Sequence, residues 1–204
     1  MTVEADAARV ESRLVAGQVE CPDCAGALRP WGWARRRDVH GIEGRLRPRR
    51  ARCGRCLITH VLLPVTVLVR RAYAAEVIGA AVLARAGGSG HRAIGATRGL
   101  PATTVRGWLR VMGARLGPVR RHLLQVAVRA GVDVRVPEAL GCPWRDVLAA
   151  LGAATAAVTR RFGVFGVLGA VTAWQVATAC SGGRLLAPGW PPLPAGAHGN
   201  TSCP

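Results

Sequence analysis

The chain has 204 residues, half of them hydrophobic, and a net charge of +17; all 28 basic residues are arginine. That apolar fraction excludes a globally disordered chain, and the length leaves room for one medium domain or two to three small ones. The charge points to polyanionic partners, nucleic acid first and anionic membrane second.

Residues 1–20 read as a lead-in. Val10 to Val19 fits either a short helix or a strand packed on the cysteine-bearing region after it. Glu4, Asp6 and Glu11 fall where an exporting signal would need an apolar core, so a disulfide framework is not expected. Cys21-Pro-Asp-Cys24 and Cys53-Gly-Arg-Cys56 then bracket a 28-residue arginine-rich insert. Two Cys-x-x-Cys pairs offer four thiolates at the spacing a tetrahedral Zn²⁺ accepts, which predicts a structural zinc ribbon with Cys21, Cys24, Cys53 and Cys56 as ligands. His60, four residues after Cys56, is expected to be a strand or surface histidine rather than a ligand. Cys142, Cys180 and Cys203 lack ligand-like spacing and are expected to be reduced thiols.

The insert reads as a hairpin. Leu28 to His40 and Glu43 to Arg52 are extended runs around Gly41-Ile42-Glu43-Gly44, and Pro48 suggests an edge or a bulge. Trp31 and Trp33 share one strand face and are expected to make a small core beside the metal rather than to stack on bases. A third β run, Ile58 to Leu63, ends at Pro64. Residues 29–71 hold twelve arginines against Asp38 and Glu43 alone, and no acid occurs between Glu76 and Asp133, where nine arginines do. Arg47, Arg49, Arg50 and Arg52 are too crowded to pair with the two nearby acids and are expected on phosphates.

Beyond Pro64 the periodicity becomes helical. Tyr73 to Ala86 predicts a first helix ended by Gly87-Gly88. Ser89 is a candidate N-cap for a second, His91 to Arg98. Gly99-Leu100-Pro101 makes the break before a third, Ala102 to Leu116. Val105, Trp108, Leu109, Met112 and Leu116 form one apolar stripe, and Thr103, Arg106 and Arg110 lie opposite it. Ile94, Gly95, Gly99, Val105 and Trp108 stand where a helix-turn-helix places its core, crossing, turn and packing residues, while Arg98 departs from that pattern.

Taken together, CPDC at 21–24, RPRRARCGRC at 47–56, THVLLP at 59–64, GHRAIG at 90–95 and LPATTVRGWLR at 100–110 resemble the zinc-ribbon-plus-helix-turn-helix front end of bacterial insertion-sequence transposases. They are more similar still to short actinobacterial proteins of unknown function that carry this front end without a catalytic domain. The resemblance covers about half the chain. It implies DNA binding, with Arg106 and Arg110 as recognition-helix positions, and it supplies no catalytic activity. A transposase needs metal-binding carboxylates gathered from separate elements. After Glu76 the chain offers Asp133, Glu138 and Asp146, clustered within fourteen residues.

Val119 to Arg129 predicts another helix, and Trp144 to Phe162 an amphipathic one. Phe162 to Cys180 runs 19 residues without a charge. It is long enough to test as a membrane span but poor in Leu and Ile, so a buried or oligomer-forming helix is preferred. The proline-rich tail is expected to be disordered. The expectation is therefore an α+β, cytoplasmic, non-enzymatic protein of double-stranded DNA, with possible homo-oligomers. It divides into a ribbon (1–66), a helix-turn-helix domain (67–125), a helical C-terminal region (126–187) and a tail (188–204). The rivals are the DNA-binding part of a transposase whose catalytic part lies elsewhere, a membrane-associated protein anchored through 162–180, and a ribbon for RNA or a protein partner.

Overall fold

A two-residue strand, β1 (Thr2–Val3), opens the chain, and Asp6 then caps α1 (Ala7–Val15) by accepting from the Ala8 and Arg9 amides. Val10 and Leu14, one turn apart, are its buried residues, so the open choice between helix and strand resolves to a helix. The structure is a computed structural model that describes residues 1–131, 134–163 and 170–192. Expectations that touch Asp133, residues 164–169 and residues 193–204, Cys203 included, fall outside the described residues.

Five further strands come after it: β2 (Leu28–Trp33), β3 (Arg37–Asp38), β4 (Arg45–Leu46), β5 (Arg49–Cys53) and β6 (Thr59–Pro64). One sheet runs in the order β1-β6-β5-β2, antiparallel except for the parallel β1–β6 pair, and β3–β4 form a separate ribbon at the far end of the same hairpin. Pro48 falls between β4 and β5, where its carbonyl accepts from the Ala34 amide at 2.8 Å. Lacking an N–H, it divides the hairpin into two ladders. The β2–β5 register slips between Pro30 and Gly32, a bulge that leaves Trp31 as the extra residue. Val10 and Leu14 of α1 pack with Val19, Leu28, Ala51 and Leu62 into a small core that includes Cys21 and Cys53.

Three helices come next: α2 (Ala75–Ala86), α3 (His91–Arg98) and α4 (Ala102–Gly113). The stripe Val105, Trp108, Leu109 and Met112 is buried as its spacing predicts, and Tyr73 meets Trp108 edge-on at 4.9 Å. Between α3 and α4 the chain turns at Gly99 in the left-handed region, φ 63°. Gly95 is required by the crossing, because a Cβ there would stand 2.8 Å from the Leu100 carbonyl oxygen. Gly90, not Ser89, is the N-cap of α3, and no side chain caps it. Ser89 instead belongs to the turn closing α2, its amide donating to the Ala84 carbonyl at 3.0 Å.

The third helix stops before Leu116, which begins α5 (Leu116–Ala130), and α6 (Pro143–Gly163) and α7 (Ala173–Cys180) complete the body. Ala127 of α5 meets Ala154 and Ala157 of α6, small residues that let the two helices approach closely. Gly79 of α2 plays the same part for α7, since a Cβ there would run into the Trp174 ring. Thr172 caps α7 through a capping box with Gln175 and also donates to Glu76 of α2. Leu185, Leu186 and Trp190 then return into the core that holds Ile78, Val105 and Trp108. The C-terminal helices and the three preceding ones therefore share one interior.

The proline-rich tail differs from expectation, because its start is ordered as far as it is described. Trp190 is buried, Arg115 donates to its carbonyl at 3.0 Å, and its ring meets His122 edge-on at 5.1 Å. The uncharged stretch from Phe162 is also not one helix, because residues 170–172 are not helical and α7 starts at Ala173. Among the described residues no helix is long and apolar enough to cross a membrane.

Candidate metal centre and basic surfaces

Each Cys-x-x-Cys folds as a tight knuckle whose next residue takes a left-handed conformation: Ala25 at φ 57° and Leu57 at φ 61°. In the first knuckle the Ala25 amide donates to the Cys21 carbonyl at 2.9 Å, and the Cys21 amide donates to the Gly26 carbonyl at 2.8 Å. In the second, the amides of Arg55 and Cys56 point at the Cys53 sulfur at 3.3 and 3.4 Å. The β2–β5 ladder brings the two knuckles together. Cys24 and Cys53 Sγ stand 3.4 Å apart, Cys21 and Cys56 3.7 Å, and all four sulfurs lie within 4.8 Å of one another. Four sulfurs at about 2.3 Å from one tetrahedral ion are about 3.8 Å apart, so the cluster fits such an ion. None of the four cysteines is in a disulfide.

The protonation of the cluster favours the same occupant. The Cys56 amide, helped by that of Arg55 and by neighbouring sulfurs, outweighs desolvation and pulls the Cys53 thiol down to about 6. At Cys56 the Ile58 amide also draws the thiol down. Desolvation and the sulfurs of Cys24, Cys53 and Cys21 overcome it and push the thiol up to about 12. The opposite directions at Cys53 and Cys56 come from sulfurs crowded against one another, and a divalent cation relieves that crowding by accepting thiolate ligands. His60 is outside this tetrad yet not a bystander on the surface. Its Nε2 lies 3.3 Å from Cys21 Sγ and 3.6 Å from the Asp23 carboxylate. It reaches that position because it pairs with Ala51, two residues before Cys53.

The arginines of the second hairpin strand separate into two kinds. Arg49, expected on phosphate, is already engaged: its Nε and Nη2 reach the Glu11 carboxylate at 2.7 and 3.0 Å, and its side chain is 13% exposed. The partner comes from α1 rather than from the two nearby acids, and the Arg49 hydrogen bonds hold the Glu11 carboxyl below the usual range. Arg47 and Arg50 are exposed, Arg52 is half-buried, and among the described residues none of the three pairs with a carboxylate. Trp31 and Trp33 also differ from expectation. They are 54% and 48% exposed rather than a core, because α1 and the metal knuckles already fill the interior. Guanidiniums lie against them instead, Arg52 at 4.7 Å from the Trp31 ring, Arg49 and Arg47 at 4.7 and 5.4 Å from that of Trp33.

On α4, Thr103, Arg106 and Arg110 are exposed, opposite the buried stripe. They form one outward face three to four residues apart, on a different element from the hairpin arginines. Many other arginines of the helical body bind backbone instead: Arg71 donates to Leu186, Arg115 to Trp190, Arg120 to Pro137 and Arg161 to Arg129. The consecutive Arg35-Arg36-Arg37, assigned to no site from sequence, line open grooves beside Trp33. Their signal in the sequence is the uninterrupted run itself.

Neither the curated proteins nor the solved structures gave a match to the chain. One family model does match, described as a domain of unknown function (DUF6431), over residues 21–108. The matched span opens on Cys21 and closes on Trp108, so the chain resembles that family across the four-cysteine cluster, α2, α3 and the first half of α4.

Proposed function

We propose that the chain is a non-enzymatic DNA-binding protein in which a Zn²⁺ ribbon and a helix-turn-helix, α2 to α4, act together on a duplex. The ion's part is structural, joining two knuckles that share little apolar surface. α4 is the recognition helix: its buried stripe fixes its roll, and Thr103, Arg106 and Arg110 enter the major groove. Arg106, early on that face, makes the bidentate contact that guanidinium geometry suits to guanine. Arg47, Arg50 and Arg52 hold phosphates and fix orientation without reading sequence.

The observation that carries this reading is the α4 face itself. Three exposed polar side chains, two of them arginine, stand on a helix whose roll is set by a buried tryptophan. Duplexes selected from a random pool by metal-loaded protein test it. Arg106→Ala is expected to cost about 1–3 kcal/mol on the selected site and to flatten discrimination at one base position. Arg50→Ala is expected to weaken all duplexes alike and to lower the log–log salt slope by about 0.9. Uniform weakening by Arg106→Ala, or none, removes the groove-reading role.

A further inference from the structure

The hairpin face that carries Trp31 and Trp33 offers two indoles that duplex binding does not use, beside Arg47 and Arg52 that it does. Two indoles about half in solvent lie against guanidiniums. Arg49 under Trp33 is fixed in turn by Glu11, so that ring has a rigid backing. A groove of about 500 Å³ leads from Trp33 along Ala34, Arg35, Arg36 and Arg47. A second, of about 690 Å³, shares Ala34, Arg35 and Arg36 with it and continues past Arg37 to Arg70. Of the residues lining the second groove, Asp38 alone carries a carboxylate, and Arg45 takes it at 3.1 Å. Arg37 meanwhile buries Nε and Nη2 with no hydrogen-bond partner among the described residues. Those two nitrogens are closed off from the groove, so what it offers an anion is the exposed Arg35 and Arg36 guanidiniums.

We propose that this groove binds an unpaired strand of nucleic acid, with bases stacked on Trp31 and Trp33 and phosphates against Arg35 and Arg36. In a duplex the base faces are covered by neighbouring base pairs, so the indoles have nothing to stack on. An unpaired strand presents those faces freely, and stacking on aromatic rings beside a basic groove is how such strands are held without sequence preference. This site is separate from α4 and does not depend on the duplex reading.

The test uses the full metal-loaded chain at physiological salt, titrated with an oligothymidylate, an oligouridylate of equal length and a duplex. Both single strands are expected to bind and to quench indole emission, because Trp108, Trp174 and Trp190 are buried and Trp144 is partly buried, while Trp31 and Trp33 are exposed. The tighter of the two identifies DNA or RNA as the source of the strand. The Trp31→Ala, Trp33→Ala double variant should weaken single-strand binding by roughly 5- to 150-fold for each base that loses its stack, and should weaken duplex binding less, through Arg47 and Arg52 that lie against those rings. Arg106→Ala should leave single-strand binding intact. Should the double variant lose its metal, Arg35→Gln with Arg36→Gln at two exposed positions replaces it, and each lost phosphate contact should lower the single-strand salt slope by about 0.7. Absence of single-strand binding, equal loss on duplex and single strand, or an unchanged slope in the arginine variant overturns the proposal.

Discussion

The four-cysteine half buries eight residues around Leu14 and Leu28, two of them cysteines, with a second cluster of three around Val39. Among the described residues, the helical half buries twenty-one in one cluster that runs from Leu68 to Trp190. Apolar burial is the main favourable term in folding, so the second half can hold itself together, while the first has too little interior to offset the ordering of its long hairpin. What the first half has instead is four sulfurs within reach of one ion. The contrast also separates two uses of arginine. In the helical half many arginines tie carbonyls across the core, as Arg71 does at Leu186 and Arg115 at Trp190. On the hairpin, Arg47 and Arg50 face solvent and Arg35 to Arg37 line open grooves.

Metal removal breaks the comparison most deeply. Structural Zn²⁺ contributes on the order of 10–16 kcal/mol of apparent binding energy, which in such a site is folding energy. Cys53→Ser is expected to abolish stoichiometric metal and to open the amides of residues 20–63 to hydrogen exchange, leaving α2, α4 and α5 protected. Full metal occupancy in that variant would end the four-cysteine assignment. Collapse of protection across the whole chain would show that the two halves are one cooperative unit.

Trp108→Ala attacks the other half. The ring is buried, edge-on to Tyr73 and surrounded by the large cluster, so its removal should cost about 3–5 kcal/mol in denaturant unfolding. Metal stoichiometry should not change, because the ribbon's own core holds neither Trp108 nor Tyr73. Loss of metal in this variant would show that the clasp depends on the helical body.

Whether a feature is legible in the sequence depends on whether it is local. Each Cys-x-x-Cys pair, and the α4 stripe with Gly95 and Gly99, depend on spacings of a few residues and form as those spacings predict, and the hairpin between the pairs brings the four sulfurs together. Arg49 cannot be read from its neighbourhood, since Glu11 lies 38 residues away on a segment whose sequence fits helix or strand equally. Alternation puts Trp31 and Trp33 on a common face, but which way they turn depends on the bulge at Pro30 and Gly32 and on α1 occupying the interior. Proline and glycine composition suggests disorder from residue 188. One buried tryptophan and an arginine donor 75 residues upstream override that composition as far as the chain is described. Counting ligands sets His60 aside, but the count says nothing of a partner that reaches a sulfur at 3.3 Å without being one of the four.

The smallest expected effect sharpens the comparison by reversing sign between the halves. Leu57 sits at φ 61°, a conformation that costs a non-glycine residue about 1–2 kcal/mol, and its side chain is largely in solvent. Leu57→Gly relieves that strain and loses little packing, against about 0.4–1 kcal/mol of extra freedom in the unfolded chain. The net should be a gain of about 0.5–1 kcal/mol in the metal-loaded ribbon, read as tighter metal retention against a competing chelator. Leu83 is similarly exposed but lies within α2. There the same change should cost about 1 kcal/mol in helical-body unfolding, because glycine opposes a helix interior. If Leu57→Gly weakens metal retention instead, the left-handed turn after Cys56 is not a strained position, and the knuckle owes nothing to the ion for holding it.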